Sequence, residues 1–203
     1  IESREELIVN TPEKYTGLTG VEVVTRCEVT SVNFQAKTVT ALCQGQTWLE
    51  SYDKLVIATG ATPFVPQVEG IRLPGVFTMR TPQDAIDLRT AIEQPNCHSA
   101  VVVGAGFIGL EVAENLQAQG LAVTVIDAVD QILPKIFDPE MAGYARRRLR
   151  QNGIRVLTGT PLSEITGTER ADGVLAGGSR IGADLVVLAI GIRPATTFLD
   201  GSG

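Results

Sequence analysis

The sequence predicts an α/β fold, a parallel sheet carrying an inserted β-meander, and three observations predict it. The run Ser99-Ala-Val-Val-Val-Gly104 is short, apolar and rich in β-branched residues, as expected of a parallel strand covered on both faces. It leads into Gly104-Ala-Gly-Phe-Ile-Gly109, with glycines at 104, 106 and 109 ahead of a helical pattern. A second apolar run, Leu121-Ala-Val-Thr-Val-Ile126, then ends on the carboxylate of Asp127. Strand, glycine turn, helix, strand and terminal acid together make the fingerprint of a Rossmann-like dinucleotide-binding domain, whereas the glycine triplet alone would be a weak sign.

The elements follow in chain order. Thr11 before Pro12 and Glu13 is a helix start, since a hydroxyl caps the first N–H groups and proline suits the first turn. The β-branched segments Val21–Val32, Thr38–Cys43 and Thr47–Tyr52, separated by 33–37 and 44–46, suggest an antiparallel meander. Asp53–Gly60 reads as a further buried strand ending in a glycine turn, followed by a stretch with Pro63, Pro66 and Pro74 that cannot sustain regular structure. Thr81-Pro-Gln-Asp84 opens a helix to about Glu93. After the glycine turn, a helix from about Phe107 to Gln119 places Ile108, Val112, Ala113 and Leu116 at helical spacing, with Gly120 as its stop. Asp138-Pro-Glu140 begins a helix to Gln151, stopped by Asn152-Gly153. Ile154–Leu157, Leu162–Thr166, Gly173–Ala176 and Arg180–Ile181 are short strands, and Ala183–Gly191 is a strong final strand halted by Pro194.

Each position of the fingerprint answers a physical demand. Gly104 permits the sharp strand-to-helix turn, Gly106 lets backbone approach a pyrophosphate, and Gly109 lets the helix pack close to the strand. The unpaired N–H groups and dipole of the helix N-terminus then meet the diphosphate. Asp127 sits where it accepts hydrogen bonds from a ribose 2′-OH and repels a 2′-phosphate, so NADH is favoured over NADPH. Ala128, Val129 and Asp130 offer no cation for that phosphate, while Arg146, Arg147 and Arg148 lie on a later helix and matter only if the fold brings them near. The plainer reading is that the glycines make a tight turn in a protein without nucleotide.

At 203 residues the chain suffices for one large domain, or for one domain and part of another. A net charge of −6, with no basic cluster larger than Arg146–Arg148, argues against a nucleic-acid surface, and that arginine run reads as a solvated helix face. No apolar stretch reaches about 18 residues and no secretory leader is visible, which leaves a cytoplasmic location, without membrane insertion, as the expectation. Cys27, Cys43 and Cys97 show neither metal spacing nor CxxC. Cys27 and Cys43 lie in strand-like runs and read as buried small hydrophobes; Cys97, in the Gln94–His98 loop, reads as exposed. With a single histidine, His98, neither a metal site nor a nucleophilic triad is supported.

Asp53–Gly60 and Asp184–Gly191 share a pattern of acid, apolar run, alanine, one residue and glycine. This weak repeat suggests two similar units, each a dinucleotide fold whose inserted meander precedes a closing strand. Only the second carries a glycine motif in this chain.

Four segments carry a family resemblance: Tyr52-Asp-Lys-Leu-Val-Ile-Ala-Thr-Gly-Ala-Thr-Pro63, Gly104-Ala-Gly-Phe-Ile-Gly-Leu-Glu-Val-Ala-Glu114, Gln131-Ile-Leu133 with Asp138-Pro-Glu-Met141, and Ala183–Pro194. In these, over essentially its whole length, the chain resembles the pyridine nucleotide–disulfide oxidoreductases, in the branch of coenzyme A disulfide reductases, NADH oxidases and NADH peroxidases. The resemblance implies an FAD-binding domain interrupted by an NADH-binding domain, a C-terminal domain that forms a homodimer, and hydride passing from NADH to FAD and on to a catalytic cysteine. Residues 1–75 are then part of an FAD-binding domain of similar fold, and 76–203 the NADH-binding domain. By motif, Ala58, Thr59, Gly60 and Ala61 line the FAD site. Phe107, beside Ile108 at the NADH site, is an aromatic gate that nicotinamide displaces; Glu111 faces the carboxamide, and Gly191 approaches the nicotinamide half. Plainer readings stand beside these: Phe107 as a core residue, Glu111 as a solvated helix carboxylate, Gly60 and Gly191 as turn glycines.

The chain departs from the family pattern in lacking an N-terminal FAD fingerprint, a cysteine in the catalytic motif, and the second FAD motif with the dimer domain. It reads as a fragment whose catalytic cysteine is expected upstream of Ile1, with weak or no FAD retention and no turnover alone. The parent is expected to reduce a disulfide, a persulfide, peroxide or oxygen. Two other readings remain open: a flavoprotein NADH reductase of a rubredoxin- or ferredoxin-type protein, and a non-catalytic NADH-binding module.

Overall fold

A computed structural model describes residues 9–202. The chain forms two compact units, one of residues up to 62 together with those from 193, the other of residues 63–192.

In the first unit, helix α1 (Pro12–Thr19) starts as expected, with the Thr11 hydroxyl accepting the Lys14 N–H and Gly20 ending the helix at φ 72°. Strands β1 (Cys27–Asn33), β2 (Thr38–Cys43) and β3 (Gln46–Ser51) form the antiparallel meander in the order β1-β2-β3. The first strand is shorter than Val21–Val32: residues 21–25 are outside regular structure, with Val21, Val23 and Val24 exposed. The ladder sets Cys27 directly opposite Cys43. These two cysteines, expected as buried hydrophobes, are half-buried and joined in a disulfide with Cα–Cα 4.1 Å. Strand alternation placed both side chains on one face; neither cysteine's local sequence announces that.

A second correction concerns Asp53–Gly60, which forms no strand. Val56 is 84% exposed and Ile57 is also exposed. A β-branched run becomes a strand only where neighbouring strands take up its N–H and C=O groups, and among the described residues none lies alongside it. The chain crosses between units through β4 (Ala61–Pro63) and later β13 (Ile192–Pro194), and these two short strands pair. The proline-bearing stretch thus does contain regular structure at its edges, where proline is tolerated.

The second unit holds strand β5 (Val76–Thr78), helix α2 (Pro82–Ile92), β6 (Ser99–Val103), α3 (Phe107–Ala118), β7 (Ala122–Ile126), α4 (Pro139–Gln151) and β8 (Arg155–Leu157). The meander β9 (Leu162–Gly167), β10 (Ala171–Ala176) and β11 (Ser179–Gly182) follows, then β12 (Leu185–Leu188). The sheet order is β5-β12-β6-β7-β8, every pairing parallel. Val76–Thr78 is a strand that sequence did not separate from the proline stretch. Residues 63–75 also belong here, with Glu69 accepting the Ile165 N–H and Pro74 the Ala171 N–H. The unit boundary therefore falls at 62/63 and again at 192/193, where the sequence division was drawn at 75/76.

The sheet is buried on both faces, which is why its strands read as continuous apolar runs. Val102, Val125 and Val187 face a layer with Val112, Ala113 and Leu116 of α3 and Ala142 and Leu149 of α4. Alternate residues Val101, Val103, Ile126 and Val186 face Ile165, Val174 and Ala176 of the meander. Cys97, expected to be exposed, is buried in the helix-side layer with Leu88 and Leu116. The tight turn in which its N–H bonds the Gln94 carbonyl is part of a loop whose thiol packs inward. Burial, reinforced by the charge of Asp184, pushes that thiol above its ordinary pKa.

Asp184 ties the starts of β6 and β12 together. One of its carboxylate oxygens accepts the His98 N–H at 2.9 Å, the Ser99 N–H at 2.9 Å and the Ser99 hydroxyl at 2.7 Å. Burial pushes the carboxyl up, but these bonds outweigh it and hold Asp184 below the usual range. A pKa lower folded than unfolded stabilises the protein above the unfolded value of about 3.9, and that stabilisation is lost as pH falls through the folded value. Asp184→Ala should therefore lower the unfolding free energy at pH 7 by about 1–3 kcal/mol. The gap to wild type should narrow below about pH 4. Denaturant titrations at pH 7 and pH 3 measure both, and an equal gap at the two pH values would refute this account of Asp184.

Candidate nucleotide site

Strands β12, β6 and β7 end level with one another, Leu188 beside Val103 and Val103 beside Ile126. Just beyond these carboxyl ends a cavity of about 700 Å³ opens, at the edge of the sheet where open parallel sheets bind ligands. Six of the expected nucleotide residues line it: Gly104, Gly106, Phe107, Ile108, Asp127 and Gly191. Gly109 is buried at the base of α3 and Glu111 is exposed on that helix; neither lines the cavity.

The turn is built from what its glycines lack. Gly104 has φ 108°, and a Cβ there would stand 2.5 Å from the Ala189 carbonyl oxygen. At Gly109 a Cβ would collide with the Gly104 carbonyl, so the helix packs close only without a side chain. Gly106 differs: a Cβ would meet nothing within 4 Å, leaving open space above the turn. Gly106 is also the N-cap of α3, and no side chain caps that helix. Free N–H groups at a helix start, facing space that no side chain fills, fit a diphosphate.

Asp127 has a part in the fold that the sequence did not suggest. Its Oδ2 accepts the Ala105 N–H at 2.6 Å and its Oδ1 accepts the Val129 N–H at 3.0 Å. The carboxylate braces the glycine turn against the end of β7, and each oxygen retains capacity for another hydrogen bond. Phe107 is 62% exposed at the cavity wall, which removes the reading of it as a core residue.

Other lining residues come from segments without a motif. Leu133, Pro134, Lys135 and Ile136 arrive on a loop pinned to the turn, where the Leu133 N–H bonds the Ala105 carbonyl at 3.1 Å. Met79 comes from beyond β5, and Thr160 is held by its N–H to the Asp127 carbonyl at 2.7 Å. Pro134 signals a turn in the sequence, but nothing local signals a cavity. Arg146, Arg147 and Arg148 do not line it, and Arg147 lies over the Tyr144 ring at 5.9 Å.

In the other unit, Ala58, Thr59 and Gly60 are exposed and Ala61 is half-buried. Gly60 adopts φ 70°, while the Thr59 hydroxyl donates to the Ala195 carbonyl at 2.8 Å. An exposed extended strip of this kind does not by itself cradle a flavin. No helix among the described residues is long and apolar enough to cross a membrane.

Comparison with known proteins adds a family and several relatives. The family model described as pyridine nucleotide-disulphide oxidoreductase matches residues 3–203. An NADH oxidase of Methanocaldococcus jannaschii is 38% identical over 197 residues, covering 96% of this chain and 44% of that protein. The structure of an NAD-dependent persulfide reductase from A. fulgidus superposes with TM-score 0.92 at 34% identity, covering 100% of this chain and 38% of that one. The water-forming NADH oxidase of Lactobacillus brevis, bound to NADH, gives TM-score 0.88 at 29% identity, covering 99% of this chain and 44% of that one. Its engineered NADPH-bound form gives 0.88 at 28%, with 99% and 44% covered. The chain thus spans less than half the length of these relatives.

Proposed function

This chain belongs to the pyridine nucleotide-disulphide oxidoreductase family, and from that premise we propose that residues 63–192 bind NADH, within a larger FAD-dependent oxidoreductase. The observation that carries this reading is the uncapped start of α3, opening at Gly106 onto the cavity that Asp127 borders. Gly106 and the first N–H groups of α3 hold the diphosphate, and Asp127 accepts from the adenosine ribose. Phe107 screens the nicotinamide side until the ring enters, and Gly191 leaves room for it; the family resemblance alone assigns Glu111, which lies outside the cavity lining, to the carboxamide. Bound NADH supplies a hydride, which in the parent enzyme passes to FAD; this chain's part is to orient the donor and exclude water. Residues up to 62 with those from 193 contribute Ala58–Ala61 to the FAD-binding domain.

The preference for NADH has support beyond Asp127 itself. The engineered NADPH-bound oxidase carries substitutions at a glycine, an aspartate 18 positions later, the alanine and methionine after that, and a proline seven beyond the aspartate. This chain has Gly109, Asp127, Ala128, Val129 and Pro134 at the same spacings. It therefore keeps the unsubstituted residue at four of the five, with valine for methionine at the other. The names of the relatives favour oxygen or a sulfur compound as the parent's electron acceptor.

Calorimetry on the purified chain tests the site, with one NADH bound per chain as the expected result and no binding as the result that overturns it. The same sample should be colourless and should not oxidise NADH. A yellow preparation that turns NADH over would overturn the division of labour between this chain and its parent. A coding sequence upstream of Ile1 containing GxGxxG and a cysteine would dismiss a non-catalytic binding module.

A further inference from the structure

The Cys27–Cys43 disulfide links positions 16 apart and stands at the loosest corner of the first meander. In the order β1-β2-β3, β1 is an edge strand and Cys27 its first residue, so the sheet holds Cys27 from one side only. Cys43 ends β2, where Gln46 of β3 pairs with it from the other side. Before Cys27 the chain lies outside helix and strand: residues 21–26 are exposed, and Arg26 takes φ 57°. The hairpin does not need the bond to stay paired. Its ladder continues from Glu28 opposite Leu42 to Asn33 opposite Thr38, and Val32 and Ala41 within it are buried. What depends on the bond is therefore the segment that enters β1, which has no ladder of its own.

Neither cysteine of the pair is fully buried, and disulfides within reach of solvent are the ones that thiols reduce readily. Cys97 is the contrast, a free thiol packed inside the other unit. We propose that Cys27–Cys43 is a reversible thiol–disulfide site, opened by low-molecular-weight thiols while the chain stays folded, and that it works as a clasp on the segment entering β1. A thiolate of the small thiol attacks one Sγ, forming a mixed disulfide and releasing the other cysteine as a thiolate, which takes up a proton. A second thiolate attacks the sulfur of the small thiol in that mixed disulfide. It frees the first cysteine and departs with the small thiol as their disulfide, so two electrons pass from two thiols to the protein pair. Because the β1–β2 register keeps Cys27 opposite Cys43, the open dithiol is placed to close again when a small disulfide runs the same steps in reverse.

The test equilibrates the full chain, without denaturant, in buffers that run from oxidised to reduced glutathione, then alkylates it with iodoacetamide and reads the intact mass. As the buffer becomes more reducing, Cys27 and Cys43 should gain label together, Cys97 should stay unlabelled, and circular dichroism should not change. Returning the reduced chain to oxidised glutathione should close the bond again. Limited trypsin digestion reads the clasp directly, since Arg26 stands immediately before Cys27. Cleavage after Arg26 should be about tenfold faster in the reduced chain than in the oxidised one, as expected of a segment released to open locally. A chain carrying Cys27→Ser and Cys43→Ser should be cut at the faster rate in either buffer, and the wild-type comparisons decide the matter alone should that variant fail to fold. The proposal is overturned if the pair takes label only after denaturant unfolds the chain, or if it stays reduced in oxidised glutathione. Equal cleavage after Arg26 in the oxidised and reduced chains would overturn the clasp.

Discussion

Gly104→Ala is expected to abolish measurable NADH binding and to lower the unfolding free energy by about 3 kcal/mol, because it combines a left-handed backbone with a steric collision. At φ 108° any L side chain is strained, and here the new methyl would also stand 2.5 Å from the Ala189 carbonyl, the residue after β12. Relief would have to come from the middle of the parallel sheet, where β12 pairs with β6. Gly106→Ala is the informative partner. Its φ is −82° and its Cβ would meet nothing within 4 Å, so stability should fall by only about 1 kcal/mol, the cost of alanine in place of glycine at an N-cap. Binding should nevertheless fall, since the methyl would occupy the space that a diphosphate needs. Denaturant unfolding and calorimetry on both variants separate the effects. A Gly106→Ala chain that binds NADH like wild type would remove the diphosphate from above this turn.

Asp127→Ala carries the other large effect, through two losses at once. It leaves the ribose hydroxyl unpaired and releases the Ala105 and Val129 N–H groups that the carboxylate holds. NADH binding should weaken by about 1–3 kcal/mol, roughly 5- to 150-fold, while selectivity against NADPH shrinks because the repelling charge has gone. Stability should also fall, by about 1 kcal/mol, as the brace of the turn is removed. Asp127→Asn keeps an acceptor oxygen for Ala105 and should lose selectivity with less damage to stability. Calorimetry with both nucleotides, alongside thermal unfolding, reads these apart. If NADPH binds wild type as tightly as NADH, the role given to this carboxylate in choosing the nucleotide is wrong.

Much of the candidate site was legible because its demands are local. Gly104 and Gly109 follow from a turn and a close packing, each of which excludes a side chain at a fixed offset, and Gly106 leaves open space above the turn. The caps of α1, α2 and α4 were equally readable: Thr11, Thr81 and Asp138 each accept an N–H three residues ahead. The brace that Asp127 gives the turn was not, since a hydrogen bond to Ala105 spans 22 positions and depends on how β7 lies beside β6. Lys135 escaped for the same reason: it reaches the cavity through a loop whose anchor is the Ala105 carbonyl.

Cys97 and the Cys27–Cys43 pair show where such reading ends. A cysteine beside Pro95 and Asn96 has the composition of an exposed loop, but α2 and β6 pack so that the thiol lies inside. Two cysteines in separate strands give no sign of partnership until the β1–β2 register sets them face to face.

Asp53–Gly60 and Asp184–Gly191 make the division sharpest, for the pattern of residues is the same and the outcome opposite. Leu185–Leu188 has β5 on one side and β6 on the other, and Val186 and Val187 are fully buried. Leu55–Ile57 has no strand beside it among the described residues, and Val56 faces solvent. Sequence by itself determined the apolar run, the acid that opens it and the glycine that closes it, because those are properties of a few adjacent residues. Whether the run becomes a strand, and whether Asp127 and Lys135 meet at one cavity, was decided only by tertiary structure, because a ladder and a binding site need partners that the chain supplies from far away.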